Sequence, residues 1–207
     1  MKFCCFCLII LVGGAVFSQN SALINDIRKL QVSGDTLCFD GSFESEISWR
    51  RSKKTAVDNN MFFTALTSYT LLSLKPFLTT TTIVIDSLVE EAASSFQYYQ
   101  NRNGGDTYNF YPVRPENPFP NVPVLANRKS ARLPDDLDCS SFAYMVMNPS
   151  EEKKKALKVK MEAQSEIHPR IGTTIKPFRK SRVYRTWFAD KMKQDVDVCV
   201  VSNVLLF

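Results

Sequence analysis

A single histidine, His168, occurs in the 207 residues, and this scarcity excludes the most familiar catalytic and metal-binding arrangements. One imidazole cannot build a histidine-based metal centre, and without a nearby nucleophile it cannot serve a hydrolytic triad. Next to Pro169, it reads as a loop residue. N-glycosylation acceptors are also missing, because Asn148-Pro149-Ser150 is blocked by its proline. Beyond the first residues, no apolar run reaches the roughly 20 residues that a membrane span requires. Cysteine is scarce once its distribution is considered: of six, Cys4, Cys5 and Cys7 fall at the extreme N-terminus, leaving Cys38, Cys139 and Cys199.

What is present begins with an export signal. Lys2 supplies the charged region, Phe3 to Val16 the apolar core, and Val16-Phe17-Ser18 a small-residue cleavage site. Residues 1–18 are read as a signal peptide and 19–207 as one helical domain, incomplete if the chain is a fragment. The expected localisation is secreted and extracellular, with no transmembrane segment. Three widely spaced cysteines are no disulfide framework. Either Cys139 pairs with Cys199, or both are buried and reduced as small hydrophobes.

Charge is unevenly placed. Residues Glu151 to Lys193 hold 13 Lys or Arg against 5 Asp or Glu, a local surplus of eight positive charges. Such a surplus suits a polyanion, an anionic membrane surface or an acidic matrix protein; a solvated helix face explains it equally simply. Nucleic acid is disfavoured by the export signal.

The apolar pattern is mainly helical. Leu23, Ile24, Ile27 and Leu30 predict a short amphipathic helix. Asp58-Asn59-Asn60 offers N-cap chemistry before a largely apolar helix that ends ahead of Pro76, and a second helix follows through Tyr99. Between Asn101 and Pro134 lie six of the ten prolines together with Tyr108, Phe110, Tyr111 and Phe119. This predicts a long ordered loop that buries its rings and forms a rim or lid. Glu151 to Glu166 and Val198 to Phe207 are further helices.

The most informative stretch is Leu133 to Met147, LPDDLDCSSFAYMVM. Pro134, Asp135, Asp136 and Asp138 stand where a helix starts, and their charges complement its exposed N–H groups, at about 0.3–1 kcal/mol each. Three carboxylates within four residues also repel one another. Three readings therefore stay open: helix capping, a catalytic carboxylate, or oxygen ligation of calcium or magnesium.

Three apolar helices starting near Asp58, Asp136 and Asp197 alternate with more polar ones. That order predicts an all-α fold, a partial α/α toroid of about half a barrel with its acidic helix starts on one rim; an irregular bundle is the alternative. The segments DNNMFFTAL, TYNFYP, LPDDLDCSSFAY and TWFADKM followed by DVDVCVVSNVLLF resemble a group of secreted or lipoprotein-like α/α-toroid proteins distantly similar to terpenoid cyclase barrels. The resemblance spans roughly Trp49 to Phe207. In class II terpenoid cyclases an Asp-x-Asp-Asp signature supplies the protonating acid, whereas Asp135, Asp136 and Asp138 are ordered Asp-Asp-x-Asp.

Two functions follow as expectations. The first is a secreted, non-catalytic protein of an extracellular assembly or matrix, with a mineralised matrix as one setting in which Asp58, Asp135 and Asp197 would meet calcium. Self-association would cover the apolar face of a half-barrel that ends at Leu205-Leu206-Phe207. The second is a carboxylate-dependent enzyme, cyclase-like or glycan-acting, if the chain is a fragment. In that case Asp136 and Asp138 would carry the acid-base chemistry, with Asp58 and Asp197 on the same rim.

Overall fold

The structure is a computed structural model that describes residues 21–35, 37–50, 53–78, 81–103, 105–116, 132–166, 176–178, 183–189 and 196–207. Residues 1–18, expected to be a signal peptide, and Phe119 and His168 lie outside the described residues.

The N-terminal helix, α1 (residues 21–29), inserts Ile24 into the core. The chain then turns back on itself, held by the Gln31 amide, whose Nε2 donates to the carbonyls of Gly41 and Leu88, each at 2.8 Å. Gly41 is demanded here. Its φ is +83°, and a Cβ at this position would lie 2.2 Å from the Glu91 carbonyl oxygen.

An antiparallel hairpin follows, β1 (Ser45–Trp49) and β2 (Lys54–Asp58), with Ser45 opposite Asp58 and Trp49 opposite Lys54. It leads into α2 (Met61–Leu74), capped by the Asn60 side chain, which accepts from the Phe63 N–H at 3.1 Å. Pro76 sits in a 3₁₀ turn after α2, and α3 (Thr82–Ser95) returns alongside it. Two short strands, β3 (Tyr108–Asn109) and β4 (Asp135–Asp136), then pair antiparallel and deliver the chain to α4 (Leu137–Met147).

Helix α4 is the centre of the molecule. It packs against α2, α3 and the C-terminal helix α6 (Val198–Leu206), and eight of its eleven residues are buried. Phe142 meets the edges of Phe62 and Tyr69, with ring centroids 5.8 and 5.6 Å away. Such T-shaped pairs add about 0.5–1.5 kcal/mol to the burial itself. Asn148, in the left-handed region at φ 45°, ends α4, and the lysine-rich α5 (Glu151–Glu166) follows, tied to the core by Leu157 and Met161. Among the described residues, no helix is long and apolar enough to cross a membrane.

The all-α toroid expected from the sequence is corrected by this arrangement. The described residues form a mixed fold, six helices with two small antiparallel sheets, and α4 is a central helix among unlike neighbours. Two of the three acidic starts that suggested a toroid rim, Asp58 and Asp136, are the last residues of strands. The cap of α2 is Asn60, two residues after Asp58. The described residues of the Asn101–Pro134 stretch bury Tyr108 and partly bury Phe110 and Tyr111.

Candidate functional site

The three carboxylates of the Leu133 to Met147 stretch stand on a backbone held from both sides. Tyr108 pairs with Asp136 and Asn109 with Asp135 on one edge. On the other, the Phe188 N–H donates to the Asp135 carbonyl at 3.0 Å, and the Leu137 N–H donates to the Thr186 carbonyl at 2.9 Å. Extended residues alternate their side chains between the two faces of a strand, so Asp135 and Asp136 are sent to different surroundings.

Asp136 turns inward as the N-cap of α4. Its Oδ1 accepts from the Cys139 N–H at 2.6 Å, while its backbone carbonyl accepts from the Ser140 hydroxyl at 2.7 Å. Ser140 Oγ in turn accepts the Tyr108 N–H at 2.9 Å, joining cap and sheet. The second carboxylate oxygen, Oδ2, is buried and has no hydrogen-bond partner among the described residues. Burial pushes the Asp136 carboxyl up to about 7; the nearby charges of Asp138 and Asp135 push in the same direction, against the pull of the Cys139 N–H and thiol.

Asp138 faces the C-terminal helix. Its Oδ1 accepts from Asn203 Nδ2 at 2.7 Å, a bond that docks α6 onto α4. Partial burial raises its carboxyl above the ordinary range, opposed by the Asn203 bond and assisted by the charge of Asp197. Asp197 itself caps α6, accepting the Cys199 N–H at 2.7 Å from an exposed position.

Asp135 looks the other way. Its Oδ2 accepts from Asn101 Nδ2 at 2.9 Å and from the Thr107 hydroxyl. Beside it opens a cleft of about 410 Å³ whose walls include Asn103, Lys160, Gln164 and Phe188.

Asp58 belongs to a separate buried seam. Its Oδ2 accepts from Asn60 Nδ2 at 2.8 Å, and it is hydrogen-bonded to Tyr111, whose phenol is pushed up to about 12, mainly by burial and then by the Asp58 charge. The neighbouring Asn59 accepts the hydroxyl of the fully buried Tyr99 and donates to the Leu37 carbonyl at 2.8 Å.

The structure thus brings Asp135, Asp136 and Asp138 together in the chain but commits each to a different partner. Among the described residues, no three His, Cys, Asp or Glu side chains are grouped to hold a metal ion. Of the two alternatives for Cys139 and Cys199, neither the disulfide nor burial of both holds: Cys38, Cys139 and Cys199 are free, Cys139 sits in the core in the first turn of α4, and Cys199 is exposed on α6. Burial, followed by the charges of Asp136 and Asp138, raises the Cys139 thiol well above its usual value, so it remains protonated.

Sequence reasoning missed the amide and hydroxyl partners Asn101, Thr107, Tyr99 and Tyr111, and the cleft residues Lys160 and Gln164. Asparagines in a loop rich in proline and aromatics were the available signal for Asn101 and Asn103. Nothing local marks Lys160 or Gln164, which are ordinary positions on a charged helix. Compared with protein-family models, curated proteins and solved structures, the chain finds no match in any of the three.

Proposed function

We propose that the protein is secreted and non-catalytic, and that it acts by binding within an extracellular assembly. The export signal at residues 1–18 supports the compartment. The observation that carries the non-catalytic reading is the structural commitment of the carboxylates. Asp136 caps α4, Asp138 docks α6, Asp135 anchors the loop at Asn101 and Thr107, and Asp58 is bonded within a buried seam. General acid-base catalysis needs a carboxyl within hydrogen-bond reach of a substrate. The carboxyl with the most suitable proton affinity, Asp136, is 3% exposed.

The surface supports an adhesive role. Lys155 and Lys158, three residues apart on α5, are exposed side by side and offer paired cations to an acidic partner, with Lys158 also lying over the Phe207 ring at 4.9 Å.

The test is expression of the whole chain, tagged at its C-terminus, in a secreting cell line. The expected result is protein in the medium beginning at Gln19 and enriched in the extracellular matrix fraction. Retention inside the cell with an intact N-terminus would overturn the compartment. A turnover abolished by both Asp136→Asn and Asp138→Asn in folded protein would overturn the non-catalytic reading.

A further inference from the structure

We infer that the cleft beside Asp135 is a binding site for a neutral, hydroxyl-rich oligosaccharide. Its volume of about 410 Å³ falls within the range of roughly 300–1,000 Å³ typical of small-molecule sites. The chemistry of its wall is more telling than its size.

Asn101 forms the rigid back of the cleft and is used up internally. Its Nδ2 donates to Asp135 and Thr107, and its Oδ1 accepts the Asn103 N–H at 2.9 Å. The groups this leaves toward a ligand differ in polarity. Asp135 Oδ1 accepts no hydrogen bond among the described residues, since both bonds to its carboxylate go to Oδ2. Gln164 has its Oε1 taken by the buried Arg185 at 2.5 Å, so its Nε2 remains as a donor. Asn103 is exposed and its side-chain amide can both donate and accept. Lys160 adds a cationic donor at the rim.

A sugar hydroxyl both donates and accepts, so adjacent hydroxyls can meet a carboxylate oxygen and an amide N–H at once. A purely anionic ligand would set its charge against Asp135, and a purely cationic one against Lys160. Among the described residues that line the cleft, one carboxylate, Asp135, is matched by one ammonium, Lys160, which favours a ligand without net charge. Phe188, half-buried in the wall, offers an apolar surface for the C–H face of a pyranose ring. Its position is fixed by the backbone bond from its N–H to Asp135, so the apolar and polar parts of the cleft are held in register.

The choice of an oligosaccharide rests on the extracellular reading above, but the test uses purified protein, whatever its compartment. Chitotetraose, cellotetraose and maltotetraose, with heparin tetrasaccharide for comparison, are titrated into the chain by calorimetry and ligand-observed NMR. The expected result is saturable binding of at least one neutral tetrasaccharide, weakened about tenfold or more by Ala163→Trp, which fills the cleft from an exposed position on α5, and by Asn103→Ala. Unchanged unfolding temperatures establish that both variants fold. No binding of any neutral tetrasaccharide, binding indifferent to Ala163→Trp, or tighter and salt-sensitive binding of the heparin fragment would overturn the assignment. Secretion into the medium without sugar binding would remove this site and leave the proposed function standing.

Discussion

Two corners of the molecule solve the same construction problem with different side chains. At each, a short strand ends, one residue caps, and an apolar helix begins: β2 through Asn60 into α2, and β4 through Asp136 into α4. Asn60 uses both ends of its amide. Its oxygen caps the Phe63 N–H while its nitrogen donates to Ser45 Oγ and to Asp58. Asp136 uses one oxygen in the same way, but its other oxygen meets no partner among the described residues. An amide is both donor and acceptor, whereas an ionised carboxylate only accepts, so the buried corner that uses Asp inherits a strong dependence on protonation.

The harshest test is to make the good corner resemble the poor one. Asn60→Asp would replace the donor to Asp58 with a second buried carboxylate. A cost of about 3–5 kcal/mol at pH 7 is expected, typical of an uncompensated buried charge. Chemical denaturation would measure it, and a loss below about 1 kcal/mol would show that the amide nitrogen is unimportant.

The converse exchange, Asp136→Asn, keeps the capping oxygen and removes the charge. In the natural chain the folded carboxyl, at about 7, is raised above its unfolded value near 3.9, so the folded state holds the proton more tightly. The contribution of Asp136 is therefore most favourable below about pH 4 and is lost as pH rises towards 7. Asp136→Asn should flatten this slope and stabilise the protein by about 1–3 kcal/mol at pH 8, with part of the gain offset by an amide N–H₂ that meets no acceptor. Unfolding of both proteins between pH 4 and 8 is the measurement; parallel curves would count against a protonation-sensitive corner.

A smaller effect is expected at the Asp138–Asn203 bond. Asn203→Ala should cost about 1–2 kcal/mol, as for a bond to a charged but half-buried group, and should speed amide hydrogen exchange in α6 more than in α2. Equal acceleration in both helices would mean that α6 is not docked by this bond. The smallest change belongs to the water-exposed cap. Asp197→Ala should cost about 0.5–1 kcal/mol, and Asp197→Asn almost nothing, because solvent already satisfies the free carboxylate oxygen. A large loss in Asp197→Asn, read by thermal unfolding, would show that charge matters there as well.

The comparison also marks what could be read from sequence. Periodicity located α2, α3, α4, α5 and α6, because each carries enough apolar residues to define a buried face or an enclosed segment. The hairpin escaped because Ser45–Trp49 and Lys54–Asp58 alternate only weakly and neither is strongly apolar. β3 and β4 are two residues long, and their pairing is decided by distant partners. At the site, capping by Asp136 and Asp197 was legible from local chemistry. The partners that divide Asp135, Asp136 and Asp138 among separate surroundings lie far along the chain, at Asn101, Thr107 and Asn203, and no local pattern announces them.

The backbone at Asp135–Leu137 is gripped by Tyr108–Asn109 on one side and by Thr186–Phe188 on the other. During synthesis, the second grip cannot form until Phe188 has left the ribosome. Closing such a long loop is an entropic cost met late, so non-local contacts of this kind lag behind local helix formation. The central helix is therefore an early secondary structure but a late anchor: its start stays unlocked while most of the chain is being made. A nascent chain stalled before Thr186 would carry α4 with one edge of β4 still open to the wrong partner.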